Sequence, residues 1–260
     1  MSATTPVTEA GAPLIVLTYA HAGADQLSRL LSASSSLVCT SGTGLLPVCH
    51  EALGTWRQAE HGSRPSTLAI KSVRSLATSV ITVLLAADGA SRWCETTLAG
   101  AAAARSFRQI FPATTFLCLH RSLSGIAAEA VRSYPWGLGG SPFWPYASPN
   151  PGNNVATVAA YWAAHTQDLL DFEEQYPESC QRCRYEDLAA ESADGIGQVL
   201  AVLGVPAGQV GLPQQPTRPP GSQPDRGEPG AALPAALIPP RLLAEVRKLH
   251  DALGYEFSTD

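Results

Sequence analysis

The sequence predicts an α/β fold, with a mostly parallel central sheet and helices on both faces. Three observations carry this expectation. Short runs of β-forming residues alternate with stretches of helical apolar spacing, the order in which parallel strands are joined. The 260 residues are 45% hydrophobic and 15% charged, which suits a globular chain with a buried core. The first apolar run is also followed directly by a glycine-containing turn and a helix, the opening unit of many open parallel sheets.

Taken in order, Pro13 to Tyr19 (PLIVLTY) is a short run of β-formers with the uninterrupted apolar character of a buried parallel strand. Ala20 to Ala24 (AHAGA) is the turn. Asp25 to Ser32 follows as a helix, with Leu27, Leu30 and Leu31 on one side. Leu68 to Val73 (LAIKSV) is expected as a second strand, and Ser75 to Ala86 as the helix after it. Ala99 to Phe111 reads as a helix ended by Pro112. Thr114 to Leu119 (TTFLCL) is a third strand, and Leu123 to Val131 a helix. Tyr134 to Asn154, rich in Gly, Pro, Trp and Asn, is expected as a long ordered loop.

Asn153 and Asn154 are caps for a helix over Val155 to Glu174, where His165 lies on the apolar face as a core residue. Ser179 to Tyr185 is a fourth strand and Ile196 to Leu203 a helix that stops at Gly204. Pro239 to Leu253 is the last helix, with Gly254 as its C-terminal cap. The expected organisation is a flexible tail at 1–12, an α/β domain at 13–206, a Pro/Gly-rich segment at 207–237, and a C-terminal helix at 238–260 packing on the same domain.

The net charge of −5 sets aside nucleic acid and anionic membrane as main partners, because a polyanion is not drawn to an acidic surface. A small anion needs only a local pocket and remains compatible. No run of 18 uninterrupted apolar residues occurs, and the first twelve residues lack the basic start and apolar stretch of a signal peptide, so a cytoplasmic protein with reduced thiols is expected. Cys180 and Cys183 form a CxxC spacing with no second ligand pair nearby, and no metal site is expected.

Four segments together resemble sulfotransferases that use 3′-phosphoadenosine 5′-phosphosulfate. The first is the strand, turn and helix from Leu14 to Leu31. The second is Arg92-Trp93-Cys94-Glu95-Thr96-Thr97-Leu98. The third is Phe111-Pro112 followed by Phe116-Leu117-Cys118-Leu119-His120-Arg121. The fourth is Arg184-Tyr185-Glu186-Asp187-Leu188 with the later Leu200 to Pro206. The resemblance covers about residues 13 to 206 and implies a P-loop-like architecture with its cleft at the C-terminal ends of the strands. It implies that Ala22, Gly23 and Ala24 bind the 5′-phosphosulfate through the start of the helix, and that Arg121 binds the 3′-phosphate.

The chain departs from the family pattern at several positions. His21 stands where the family has Lys or Arg, Asp25 where it has Ser or Thr, Thr96 where it often has Lys, and Glu129 where it has Ser. Each change removes a cation or hydroxyl donor, or adds a carboxylate that repels an anion. Arg132, Ser133, Lys71 and Arg74 are the candidate replacement donors. His21 and Asp25 lie four residues apart at a helix start, where a carboxylate-held imidazole would act as a general base; alternatively they are a turn residue and a dipole-favoured acid. Glu95 is the other candidate base, or else a surface carboxylate beside Arg92.

Trp136, Phe143, Trp144 and Tyr146 crowd one loop. They are expected to form a wall of the acceptor site over the cleft, to pack on the sheet edge, or to make the interface of a homo- or heterodimer. Two functions follow. One is an enzyme that sulfates a hydroxyl or amine of a small-molecule or carrier-bound acceptor, activating it for later cyclisation. The other is a catalytically degenerate subunit that binds a partner protein.

Overall fold

The computed structural model describes residues 11–32, 34–59, 65–98, 100–189 and 234–256. The N-terminal tail up to residue 10, the helix expected over Ile196 to Leu203 and the Pro/Gly-rich segment up to residue 233 lie outside the described residues.

Five short runs pair into one parallel sheet: β1 (Leu14–Leu17), β2 (Leu37–Ser41), β3 (Arg92–Thr97), β4 (Thr115–His120) and β5 (Cys180–Arg184). Their spatial order is β2-β3-β1-β4-β5. Side chains alternate across a strand, so Ile15 and Leu17 face one core and Leu14 and Val16 the other. The first core is covered by α2 (Leu45–Ala59), α3 (Pro65–Asp88), α4 (Ala101–Ile110), α5 (Leu123–Ser133), α6 (Asn154–Gln175) and α8 (Pro240–Leu253). The second is covered by α1 (Ala24–Ser32) and α7 (Tyr185–Ala189). The α/β architecture with helices on both faces is therefore present.

Three element assignments change. Leu68 to Val73 is not a strand but part of α3, whose buried stripe Ala69, Val73, Ala77 and Ile81 recurs every fourth residue. Lys71 and Arg74 ride on this helix. The Arg74 guanidinium donates from Nε to the carbonyl of Ile110 at 2.5 Å, so it holds α3 to the end of α4. Arg92 to Thr97, not expected as a strand, lies inside the sheet as β3, beside the unforeseen β2. Thr67–Asp88 of α3 is long and apolar enough to cross a membrane, with mean hydropathy 1.6 and 22% of it buried.

Other local readings hold. Asn153 caps α6 by accepting from the Ala156 N–H at 3.0 Å, and Gly254 closes α8 at φ 69°. Cys180 and Cys183 point into opposite cores, so the CxxC pair cannot converge on one metal ion.

The chain leaves β1 for β2 and β3 on one side, then crosses to β4 and β5 on the other. A crevice opens outside the strand ends at such a reversal. Here it lies between Tyr19, after β1, and Arg121, after β4.

Candidate functional site

A cleft of about 510 Å³ occupies that crevice. Its floor is the turn between β1 and α1. The turn is short, so the backbone must reverse within four residues, and both His21 (φ 65°) and Gly23 (φ 98°) take positive φ. Glycine adopts this freely, whereas a side chain costs roughly 1–2 kcal/mol there. His21 is held in place from two directions. Arg121 donates from Nη1 to its carbonyl at 2.8 Å, and its ring stacks on Phe143 with centroids 5.6 Å apart.

Within the turn, Ala22 N–H donates to Tyr19 O, Gln26 and Leu27 N–H donate to Gly23 O, and Ala20 N–H donates to the Tyr161 hydroxyl at 2.8 Å. The N–H groups of His21, Gly23, Ala24 and Asp25 donate to nothing among the described residues. Such groups at a helix start, together with the helix dipole, favour an anion. Gly23 supports the same geometry from behind. A Cβ there would meet Tyr185 Cδ2 at 2.0 Å, so the turn sits directly on that ring. The Tyr185 ring in turn carries the Arg121 guanidinium at 4.0 Å from its centroid.

Arg121 is fixed by its own backbone as well. Its N–H donates to the Tyr19 hydroxyl at 3.1 Å, and its carbonyl accepts from Trp162 Nε1 at 2.8 Å. Burial pushes the Tyr19 phenol up to about 12, so it stays neutral. Glu186 accepts from the Ser122 N–H at 2.9 Å and from the Tyr255 hydroxyl at 2.9 Å, which ties the start of α5 to the Arg184–Leu188 segment.

These residues fit an anion at the turn with a cation beside it. Gly23 and Ala24 supply the backbone cradle, and Arg121 lies beside it; Ala22, expected to join them, does not, because it is buried outside the cleft lining and its N–H is bonded to Tyr19 O. Arg132 also lines the cleft, but its guanidinium is exposed and paired with Glu129. Ser133 donates to the same carboxylate at 3.3 Å. Glu129 is thus turned toward Arg132 and Ser133 along its own helix. Lys71 and Arg74 are not among the lining residues.

The expected acid–base groups are not brought together. Asp25 is exposed at the first turn of α1, and no bond joins it to His21. The His21 ring instead lies among Tyr134 and Phe143, and its Nε2 is buried without a partner. Burial lowers its pKa, with Arg121 and Arg132 adding to the effect and Glu129 opposing it, so the ring is neutral at pH 7. Glu95 does not reach the cleft either. It is 1% exposed and accepts from Thr43 N–H at 2.9 Å, from the Thr43 hydroxyl at 3.0 Å and from the Thr40 hydroxyl. Strand alternation turns Thr96 to the other face, where it bonds Ser28 of α1 at 2.8 Å. The carboxylate therefore braces the turn after β2.

None of the four loop rings lines the cleft. Phe143 is fully buried behind His21, Tyr146 packs on Tyr161 and His165, and Trp136 and Trp144 are 98% and 58% exposed. The loop's actual lining residues are Tyr134 and Pro142. Sequence reasoning missed Arg29 and Tyr185 as lining residues. Arg29 was legible as the residue one helical turn after Asp25; the approach of Tyr185 to Gly23 is a long-range contact with no local signal.

The sequence profile of the sulfotransferase family matches residues 13–209. No curated protein sequence matches the chain. Among solved structures, the chain is similar to the sulfotransferase domain from the curacin biosynthetic pathway, at 19% identity and TM-score 0.63, over 95% of this chain and 99% of that one. It is similar to the sulfotransferase domain of the Synechococcus PCC 7002 olefin synthase, at 14% identity and TM-score 0.60, over 99% of this chain and 100% of that one. It is also similar to a sulfotransferase from Mycobacterium avium, at 12% identity and TM-score 0.57, over 96% of this chain and 79% of that one.

Proposed function

The chain belongs to the sulfotransferase family, and from that premise we propose that it moves a sulfuryl group from 3′-phosphoadenosine 5′-phosphosulfate to a hydroxyl or amine of a small-molecule or carrier-tethered metabolite. The observation that carries this reading is the set of four N–H groups at the turn that have no partner among the described residues, in one cleft with Arg121 beside them. The donor brings an activated sulfuryl group and a stable nucleotide as leaving group. The chain's own residues bind and orient it. The amides of Gly23, Ala24 and Asp25 hold the 5′ anion, and Arg121 holds the 3′-phosphate from its platform on Tyr185.

The neutral His21 ring suits a proton acceptor and not a charge-stabilising cation. Asp25, exposed beside the turn, is the other group that can take a proton from the acceptor. The biosynthetic settings of two similar domains motivate a biosynthetic intermediate as the acceptor, with sulfation making a hydroxyl into a leaving group for later cyclisation.

The test is calorimetry with adenosine 3′,5′-bisphosphate, the nucleotide left after transfer. Wild type should give saturable heat and Arg121→Ala a much weaker affinity, with unchanged circular dichroism. No heat from either protein at millimolar ligand sinks the reading. One observation favours the second reading, a binding subunit: Trp136 and Trp144 are exposed on the same loop, as interface anchors are. A monodisperse monomer that turns over a sulfate donor would exclude it.

A further inference from the structure

Arg29 lies on α1, one helical turn beyond Asp25, and lines the same cleft as the turn. Opposite charges four residues apart on a helix usually pair. Here they do not. The Arg29 guanidinium donates from Nε to the backbone carbonyl of Asp25 at 3.2 Å, and no ion pair joins it to a carboxylate among the described residues. That bond folds the side chain back toward the N-terminal end of α1, where the four unpartnered amides lie. A guanidinium has five N–H donors in a planar fork, and only one is engaged.

The other two cations of the cleft already have side-chain partners or, for Arg121, the proposed 3′-phosphate role. Arg121 is bonded to the His21 carbonyl and stacked on Tyr185, and Arg132 is paired with Glu129. The turn carries no lysine or arginine of its own between Tyr19 and Gln26.

We infer that Arg29 supplies the positive charge of the 5′ anion site, reaching back over the first turn of α1 to the group bound by the turn amides. This rests on the proposed donor reading and adds a residue to it. A fork placed there binds two oxygens of a phosphate or sulfate at once, which a lysine cannot do. It also offsets the Asp25 carboxylate, whose charge would otherwise weaken an anion at the same helix start.

Ligands that differ by one phosphate separate this role from a general one. Calorimetry uses adenosine 3′,5′-bisphosphate, adenosine 5′-monophosphate and adenosine 3′-monophosphate with wild type, Arg29→Ala, Arg29→Lys and Arg121→Ala. Arg29→Ala should weaken the two ligands with a 5′-phosphate by about tenfold or more and leave the 3′-monophosphate unchanged. Arg29→Lys should recover part of the loss. Arg121→Ala should show the converse pattern, weakening the two ligands with a 3′-phosphate. Arg29 is exposed, so the variant's melting temperature should match wild type. If wild type binds the bisphosphate and Arg29→Ala binds it equally, or loses all three ligands alike, the role of Arg29 falls while the donor site stands. If wild type binds none of them, both fall.

Discussion

Replacing Gly23 by alanine tests how tightly the turn is built. The added Cβ would lie 2.0 Å from Cδ2 and 2.4 Å from Cε2 of Tyr185. That ring is 5% exposed and sits under the Arg121 guanidinium, so it cannot retreat without moving Arg121. The backbone adds its own cost, since φ is 98°. Strained φ contributes about 1–2 kcal/mol and forced overpacking about 1–3 kcal/mol, so Gly23→Ala should lose about 2–5 kcal/mol of stability. Gly42 is the control. It also lines the cleft and has φ 65°, but nothing lies within 4 Å of its added Cβ. Gly42→Ala should lose only the backbone part, about 1–2 kcal/mol. Urea denaturation reads both, and calorimetry with adenosine 3′,5′-bisphosphate reads the site. Adding Tyr185→Ala to Gly23→Ala should relieve the steric part, so the double variant is more stable than the sum of the two losses implies. Equal midpoints for Gly23→Ala and Gly42→Ala would refute the contact argument.

Glu95→Ala should destabilise by about 2–4 kcal/mol, because three hydrogen bonds from Thr40 and Thr43 lose their charged, buried acceptor; a variant of native stability with lost turnover would mark Glu95 as a proton acceptor after all. Of the six thiols, Cys39 alone is partly exposed, and its hydrogen bond with Cys94 holds it below the usual range, while burial pushes Cys49 up to about 11 and Cys183 to about 12. Mass spectrometry after brief iodoacetamide treatment should find the label on Cys39, and equal labelling of all six would contradict this burial. Burial also lowers the pKa of His21, His165 and His250, the last to about 4. The unfolded chain, with histidine near 6.5, then binds more protons than the native one, so stability is full above that pH and falls as pH drops toward about 4, by at most about 1.4 kcal/mol per pH unit for each histidine. Urea midpoints at pH 7 and pH 5 read this, and equal midpoints would contradict it.

The elements around the site were legible because local chemistry and tertiary position agree there. PLIVLTY is apolar on both faces, as a central parallel strand must be, and Leu27, Leu30 and Leu31 bury as their spacing requires. The sheet's other half was hidden. Arg92 to Thr97 contains two charged residues, Arg92 and Glu95, that argue against a central strand, and the hydroxyls and N–H of Thr40 and Thr43, supplied by a neighbouring segment, make Glu95 tolerable there. Leu68 to Val73 reads as a strand over six residues and as a helix only when Ala77 and Ile81 extend the stripe. The aromatic loop was legible as ordered, but not the direction of its rings. Phe143 turned inward to support His21, while Trp136 turned to solvent. Rotations of that kind depend on distant partners such as Tyr161, to which the Ala20 amide is also bonded.

The central claim is that the turn after β1 is the anion-binding half of a sulfate-donor site. Backbone amide chemical shifts followed during titration with adenosine 3′,5′-bisphosphate test it most directly. The largest changes should fall on the N–H groups of His21, Gly23, Ala24 and Asp25, with the Arg121 side chain shifting in parallel. No change at these four amides at saturating ligand, or changes confined to the exposed Trp136 to Trp144 loop, would contradict it.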